Sequence, residues 1–160
     1  MAPVPVLTAV LTACVLFQRA DSQYCREGWQ YHEGSCYSLG TTSATWGVAQ
    51  AICNVYKAKL AEIETSEEND FLKNLAKTKE TDHTHVGGTD MFNEGTWEWA
   101  SSGMHIYPFS DWSSGEPNGG TAGGCLALSR ELTYQWADVN CNDVDTFICE
   151  AKSSEGPIVG

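Results

Sequence analysis

Two closely spaced histidines are the first residues whose types and spacing could carry chemistry. His83 and His85 follow Asp82, and such a group could bind a metal ion or act as a general base. A zinc hydrolase needs at least a third ligand and an open coordination position. The distant His32 does not supply that ligand at a suggestive spacing, and the sequence has no serine nucleophile motif. We therefore interpret the pair as surface residues of a polar loop and predict that the chain is not an enzyme.

Cysteines are the second chemically distinctive group. Of the seven cysteines, Cys14 lies in an apolar N-terminal run that we expect to be removed. The other six are Cys25, Cys36, Cys53, Cys125, Cys141 and Cys149. None of them are spaced as Cys-x-x-Cys, the pattern of zinc and redox sites, so we predict disulfide bonds in an exported protein. Six cysteines can pair in many ways, and the spacing alone does not select one of them.

The N-terminal segment has the features of an export signal. Residues 4–17 are apolar except for two threonines, and this run is shorter than the ~20 residues that span a bilayer. Small residues follow, with Ala20 and Ser22 at the positions that precede a cleavage site. We predict a signal peptide over residues 1–22, secretion to the extracellular space, and no membrane span in the mature chain.

The mature chain is predicted to be one acidic domain. Arg19 and Asp21 leave with the signal and their charges cancel, so the formal net charge stays at −12. Residues 23–152 are enough for one domain with its own core, and residues 153–160 are predicted to be a disordered tail. An acidic surface argues against a nucleic-acid partner, because phosphates attract Lys and Arg, and it favours cations.

Two segments show helical periodicity. Apolar residues recur at helical spacing over residues 44–56, at Trp46, Ala49, Ile52, Cys53 and Tyr56. A second helix is predicted to begin with Ser66 as its N-cap, because Glu67 and Glu68 follow and carboxylates suit the first turn of a helix. Its inward face is predicted to carry Phe71, Leu72 and Leu75.

The chain changes character after the second helix. Residues 93–142 are rich in Gly, Ser, Asn and Trp, and short apolar pieces occur at residues 125–128 and 146–149. This pattern predicts short strands joined by polar loops, and hence an α+β fold. Residues 104–124 are too long and too Gly-rich for an ordinary connection, and such loops usually carry function. We predict that the binding site lies there.

A series of short motifs then runs through nearly all of residues 24–150. The motifs are Cys25–Trp29, Gly34–Tyr37, Thr45–Trp46 with Ala49 and Cys53, Leu60–Ile63, Val86–Gly88, Trp97–Trp99, Trp112, Glu116–Asn118, Cys125, Trp136–Asp138, Cys141 and Phe147–Glu150. In this order and spacing the chain resembles the C-type lectin domain, with His85 in place of the Trp of that family's Trp-Ile-Gly-Leu strand. The resemblance implies a C-type lectin-like fold of two helices, short antiparallel sheets and a long polar loop region. It places five tryptophans at core positions, and we interpret them as packing residues: Trp46, Trp97, Trp99, Trp112 and Trp136.

The resemblance also implies how the cysteines pair. The implied disulfides are Cys25–Cys36, Cys53–Cys149 and Cys125–Cys141. The second would close most of the domain into one loop, and the third would hold the long loop region.

The resemblance further implies a calcium-dependent sugar site. In the family, a calcium ion accepts two adjacent sugar hydroxyls as ligands, and the same side chains hydrogen-bond those hydroxyls. Glu116, Asn118 and Asp138 stand at ligand positions, and Pro117 at the position of a cis proline. The Glu-Pro-Asn order goes with mannose, glucose, fucose and N-acetylglucosamine, whereas Gln-Pro-Asp goes with galactose.

The match to the ligand set is incomplete. Gly123 and Ala137 occupy two further ligand positions of the family, so any calcium would bind more weakly. Asp90 and Glu94 match an auxiliary calcium position that lacks its other ligands, and we interpret them as solvated.

A second cation site is a further candidate. Glu64 and Glu68 have i, i+4 spacing near the start of the second helix, and Glu150 follows the last cysteine. Some family members hold a structural calcium with acidic residues at these positions. A solvated helix start with favourable dipole charge explains the two helix residues equally well.

The predicted function is that of a secreted carbohydrate-binding lectin that recognises glycans or glycoproteins, as in microbial recognition and innate immunity. Its cofactor would be Ca²⁺ and its preference mannose-type. The alternative is a calcium-independent protein- or mineral-binding domain, as in shell matrix, with a degenerate sugar site. The missing ligands favour the alternative and the intact Glu-Pro-Asn opposes it. Clustering would raise avidity, but no coiled coil or spare cysteine indicates an oligomer.

Overall fold

A computed structural model of the protein describes residues 23–155. The predicted signal peptide (residues 1–22) and the end of the predicted tail (residues 156–160) lie outside these residues. In chain order the elements are β1 (Gln23–Tyr24), β2 (Gln30–His32), β3 (Ser35–Leu39), α1 (Trp46–Val55), β4 (Lys59–Leu60), α2 (Ser66–Lys77), β5 (His83–Thr89), β6 (Glu98–Trp99), β7 (Met104–His105), β8 (Cys125–Ser129), β9 (Gln135–Val139), β10 (Thr146–Lys152) and β11 (Ser154–Glu155).

Both predicted helices form, and the start of the second differs by one residue. The N-cap of α2 is Thr65, whose extended backbone lets its hydroxyl accept a hydrogen bond from the Glu68 N–H at 3.1 Å. Ser66, the predicted cap, is already helical, and its hydroxyl donates to Glu67. Within residues 23–155 neither helix is long and apolar enough to cross a membrane.

The central strand of the larger sheet is β10. It pairs with β3 along one edge, and with β4 and β5 at different points of the other. Beyond β5 the sheet continues into β8 and β9 and into β6 and β7. The β5–β10 pair is parallel, which the prediction of antiparallel sheets missed, whereas the other strand pairs are antiparallel. Two strands so far apart in sequence need no hairpin, so either direction is available to them.

The two ends of the described chain pair with each other. Gln23 lies opposite Glu155 and Tyr24 opposite Ser154, and the Ser153 N–H donates to the Gly34 carbonyl at 2.9 Å. The predicted domain end at residue 152 is therefore too early, and the prediction of disorder is wrong for residues 153–155. Hydrogen bonds to the N-terminal strand order these residues, and local composition does not reveal such a partner.

The five tryptophans predicted at core positions divide into two groups. Trp46, Trp99 and Trp136 are buried in the core, as predicted. Trp97 and Trp112 are only partly buried, and their rings meet edge to face at a centroid distance of 4.7 Å. Packing therefore explains the first group fully and the second only in part.

The histidine pair does not lie in a surface loop, so that prediction is wrong. His85 is fully buried in β5, opposite Ala127 of β8 and Phe147 of β10. Its Nε2 lies 3.2 Å from the Asp143 carbonyl oxygen, and burial lowers its pKa. Asp143 and Asp145, which lie just before β10, contact the ring, so a polar side chain of β5 is enclosed. His32 lies elsewhere, stacked on an aromatic ring of α2.

The three disulfides implied by the family resemblance are present. Cys25 bonds to Cys36, Cys53 of α1 to Cys149 of β10, and Cys125 of β8 to Cys141. The second joins residues 96 positions apart in sequence. The third fixes the start of β8, directly after the long loop that was predicted to carry the site.

Candidate functional site

A half-buried carboxylate anchors the long loop between β7 and β8. Asp111 accepts hydrogen bonds from Asn69 Nδ2 at 2.8 Å, Lys73 Nζ at 2.7 Å and Gln135 Nε2 at 3.3 Å. Its backbone carbonyl also accepts from the Trp136 N–H at 2.9 Å. The loop is thereby tied to α2 and β9 at once. No local pattern in the sequence marks Asp111, because its partners come from two distant elements.

We expect Asp111→Asn to lower the free energy of unfolding by about 1–3 kcal/mol, since Lys73 and Asn69 lose a charged acceptor. Burial alone would raise the pKa of Asp111, but the hydrogen bonds from Lys73, Asn69 and Gln135 hold it below its usual value. A depressed pKa stabilises the fold above the unfolded-state value, and this contribution is lost as the pH falls through the folded value.

Melting curves at several pH values check this expectation. The difference in melting temperature between wild type and Asp111→Asn should be largest at about pH 6 and should shrink below about pH 4. Asp70→Asn, which changes an exposed carboxylate on α2, is the matched control and should change little. A difference that stays constant down to about pH 2 would contradict the ion-pair explanation.

The structure brings the three predicted ligand residues together. The Asn118 N–H donates to Asp138 Oδ1 at 2.8 Å, and Asn118 Nδ2 donates to Glu116 Oε1 at 2.7 Å. The Glu116–Pro117 peptide bond is cis, as predicted. Asp138 comes from β9, whereas Glu116 and Asn118 come from the long loop. The disulfide at Cys125–Cys141 and the Asp111 anchor therefore both support the meeting of these two segments.

Two glycines let the loop close on Asp138. The Gly119 N–H donates to Asp138 Oδ2 at 2.7 Å. A Cβ atom placed on Gly119 or on Gly123 would lie 2.6 Å from the same oxygen. Gly123, which replaces a ligand of the family, is thus also a position where glycine permits close packing. Its signal in the sequence was the cluster of glycines at residues 119–124.

The electrostatics of this cluster favour a cation. Glu116 Oε2 is buried from solvent and has no hydrogen-bond partner among the described residues. Burial, and then the neighbouring Asp138 carboxylate, raise the pKa of Glu116, and the nearby backbone N–H groups of Asp138 and Asn118 offset only part of this. A positive charge between the two carboxylates would offset both the cost of burying the Glu116 charge and its repulsion from Asp138. The set holds two carboxylates and one amide, and within residues 23–155 no three His, Cys, Asp or Glu side chains are placed to hold a metal ion.

An open cavity of about 290 Å³ adjoins the cluster. Asn118 and Asp138 line it together with Asp90, Glu94 and Trp97. Asp90 is buried and its Oδ1 has no hydrogen-bond partner among the described residues, while Oδ2 accepts from the Gly95 N–H at 2.9 Å. The interpretation of Asp90 as solvated is therefore wrong. Trp97 places an aromatic ring beside the predicted sugar-binding residues.

The residues of the second candidate cation site share a separate cleft. Glu64, Glu68 and Glu150 all line it. Glu68 accepts from the Tyr37 hydroxyl at 2.5 Å and the Glu64 N–H at 2.9 Å. Glu150 accepts from the Ser35 hydroxyl at 2.9 Å. Protein donors thus already bind the carboxylates of Glu68 and Glu150, and cation binding there stays a prediction.

Comparisons with known proteins agree with this architecture. The family model "Lectin C-type domain" matches residues 42–151. Perlucin of Haliotis laevigata is 32% identical over 131 residues, which cover 80% of this chain and 83% of perlucin. CD209 antigen-like protein D of Mus musculus is 32% identical over 133 residues, which cover 82% of this chain. The match spans only about half (54%) of that longer relative.

A solved structure supports the fold alone. It is a calcium-independent type II antifreeze protein with a TM-score of 0.73 and 24% identity, and the match covers 83% of this chain and 98% of that one. The fold therefore does not by itself establish calcium binding. The family model and the similarity to perlucin, together with the two helices, the sheet and the three disulfides, show that the chain belongs to the C-type lectin domain family.

Proposed function

We propose that the protein is a secreted, non-enzymatic lectin that binds mannose-type sugars through calcium. The observation that carries this proposal is the buried Glu116 Oε2, which has no hydrogen-bond partner among the described residues and lies beside the Asp138 carboxylate. An unpaired buried carboxylate oxygen is costly, and a cation is the simplest group that satisfies it. Glu116, Asn118 and Asp138 would hold the ion, and backbone carbonyls and water would complete its shell.

Bound calcium would supply coordination sites for two adjacent sugar hydroxyls. Glu116 accepts a hydrogen bond from one hydroxyl, and Asn118 Nδ2 donates to the other. These two side chains bond to each other at 2.7 Å, and the second Nδ2 hydrogen and the remaining carboxylate lone pairs stay available for the sugar hydroxyls. The N–H groups of Asn118 and Gly119 keep the Asp138 carboxylate in place.

The proposed partners are glycans or glycoproteins, and recognition of microbial surfaces in innate immunity is the setting we infer. Membership of the lectin family supports glycan binding, and the predicted signal peptide supports secretion. The acidic chain, with a formal net charge of −12, argues against nucleic acid.

A calcium-independent protein- or mineral-binding function is the second candidate. Both oxygens of Asp138 already accept backbone N–H groups, and Gly119 and Gly123 close upon it. These bonds satisfy Asp138 without any ion. The loop would then be stable without a bound ion, and the acidic surface would bind the partner.

Melting curves with calcium and with chelator separate the two candidates. For a dissociation constant of about 1 mM, about 10 mM calcium should stabilise the fold by about 1.4 kcal/mol through mass action. Chelator should reverse the shift, and Glu116→Gln should abolish it by removing one ligand charge. An unchanged melting temperature in the wild type would favour the calcium-independent function.

Two further variants serve as controls for this experiment. Glu131→Gln removes an exposed carboxylate outside both candidate sites and should leave the calcium shift intact. Glu64→Gln tests the second site. A calcium shift lost in Glu64→Gln but kept in Glu116→Gln would place the ion between the helix start and β10, and would contradict the proposed sugar site.

A further inference from the structure

A second cavity of about 300 Å³ lies away from the sugar loops. The residues before β2, the end of β3 and the face of α1 enclose it. Its apolar wall includes Trp29, Leu39, Ile52 and Phe147. This size is at the lower end of small-molecule sites and suits one or two fused rings. None of the residues of the predicted calcium sites lines it.

A guanidinium group stands at this cavity. Arg26 lies over the Trp29 ring at 4.9 Å and over the Tyr56 ring at 5.9 Å, which holds its charge beside the apolar wall. Among the described side chains of residues 24–154 no carboxylate lies within 4.0 Å of Arg26, although the chain carries 21 acidic residues and only nine Lys and Arg. A planar guanidinium binds a carboxylate with two parallel hydrogen bonds. The apolar wall supplies no such acceptor, so a ligand could.

We propose that this cavity binds a small aromatic carboxylate. The ring enters between Trp29, Ile52 and Phe147, and the carboxylate pairs with Arg26. Aromatic ligands suit such a wall because ring edges and faces attract one another beyond simple burial. The proposal does not depend on calcium or on sugar binding.

Glu27 also lines the cavity, and its carboxylate responds differently to anionic and cationic ligands. A carboxylate there opposes an anionic ligand and would attract a cationic one. The relative effects of changing Arg26 and Glu27 therefore identify the charge of the ligand.

Isothermal titration of the purified protein with indole-3-acetate tests the proposal. We expect a dissociation constant of roughly 1 mM or tighter, with 3-methylindole and tryptamine at least about tenfold weaker. Arg26→Gln should weaken indole-3-acetate roughly tenfold or more, because a charge-assisted pair is lost. Arg130→Gln, which changes an arginine outside the cavity, should leave binding unchanged, and Glu27→Gln should not weaken it.

Equal binding of the acid and 3-methylindole, no effect of Arg26→Gln, or no binding at about 10 mM would overturn the proposal. A larger loss in Glu27→Gln than in Arg26→Gln would also overturn it. Calcium and chelator should give the same affinity for indole-3-acetate, so failure of the sugar site leaves this result intact.

A free aromatic acid and the C-terminal phenylalanine of a peptide share this chemistry. Tighter binding of N-acetyl-alanyl-phenylalanine than of indole-3-acetate would identify a peptide end as the source, and the reverse a free acid.

Discussion

The double variant Glu116→Gln with Asn118→Asp should lose mannose-type binding by at least about tenfold. Each side chain contacts one sugar hydroxyl under the proposed function, so the exchange puts a donor where an acceptor was needed and the reverse. A lost charge-assisted hydrogen bond costs about 1.5–3 kcal/mol, and tenfold in affinity corresponds to about 1.4 kcal/mol. The variant keeps one carboxylate and one amide, so the charge around the ion does not change.

The fold should tolerate this exchange. The internal bond from Asn118 Nδ2 to Glu116 Oε1 is preserved with donor and acceptor reversed. Glu131→Gln with Asn142→Asp, at exposed positions outside the site, is the matched control. A glycan array in calcium and in chelator measures the result, with free mannose, fucose, N-acetylglucosamine and galactose as competitors. Wild-type preference for galactose, or mannose binding that survives the exchange, would refute the assigned site.

Removal of the Cys53–Cys149 disulfide should lower the free energy of unfolding by about 4–5 kcal/mol. The bond joins residues with a sequence separation of 96. Without it the unfolded chain gains conformational entropy, and this gain grows with the length of the loop. Both sulfurs are buried, so Cys53→Ala with Cys149→Ala removes the bond and adds no polar group to the core.

Removal of the Cys25–Cys36 disulfide is the comparison for this prediction. That bond has a separation of only 11, so its loss should cost about 3 kcal/mol on the same chain-entropy model. Urea unfolding without reductant gives both values. Equal losses of unfolding free energy in the two double variants would contradict the entropic explanation. A larger loss in the short-loop variant would contradict it as well.

Local patterns explain most of what the sequence determined. The apolar spacing of α1 and α2 depends on residues within a few turns of each other, so it could be seen without a structure. Glu116 and Asn118 are two residues apart, and their proximity follows from the chain itself. The family motifs also implied the three disulfide pairs, which the spacing of the cysteines left open.

Contacts between distant segments decided the rest. Burial of His85 depends on tertiary contacts such as those with the distant Asp143 and Asp145, although the sequence of its own strand is polar. The close approach of Gly123 to Asp138, and the pairing of Ser154 with Tyr24, likewise join residues far apart in the chain. Whether a polar group is solvated, buried or paired depends on the partner that tertiary folding brings to it. The sequence therefore determined the family and the helices, and the tertiary structure decided which charges lack a partner and where a ligand could supply one.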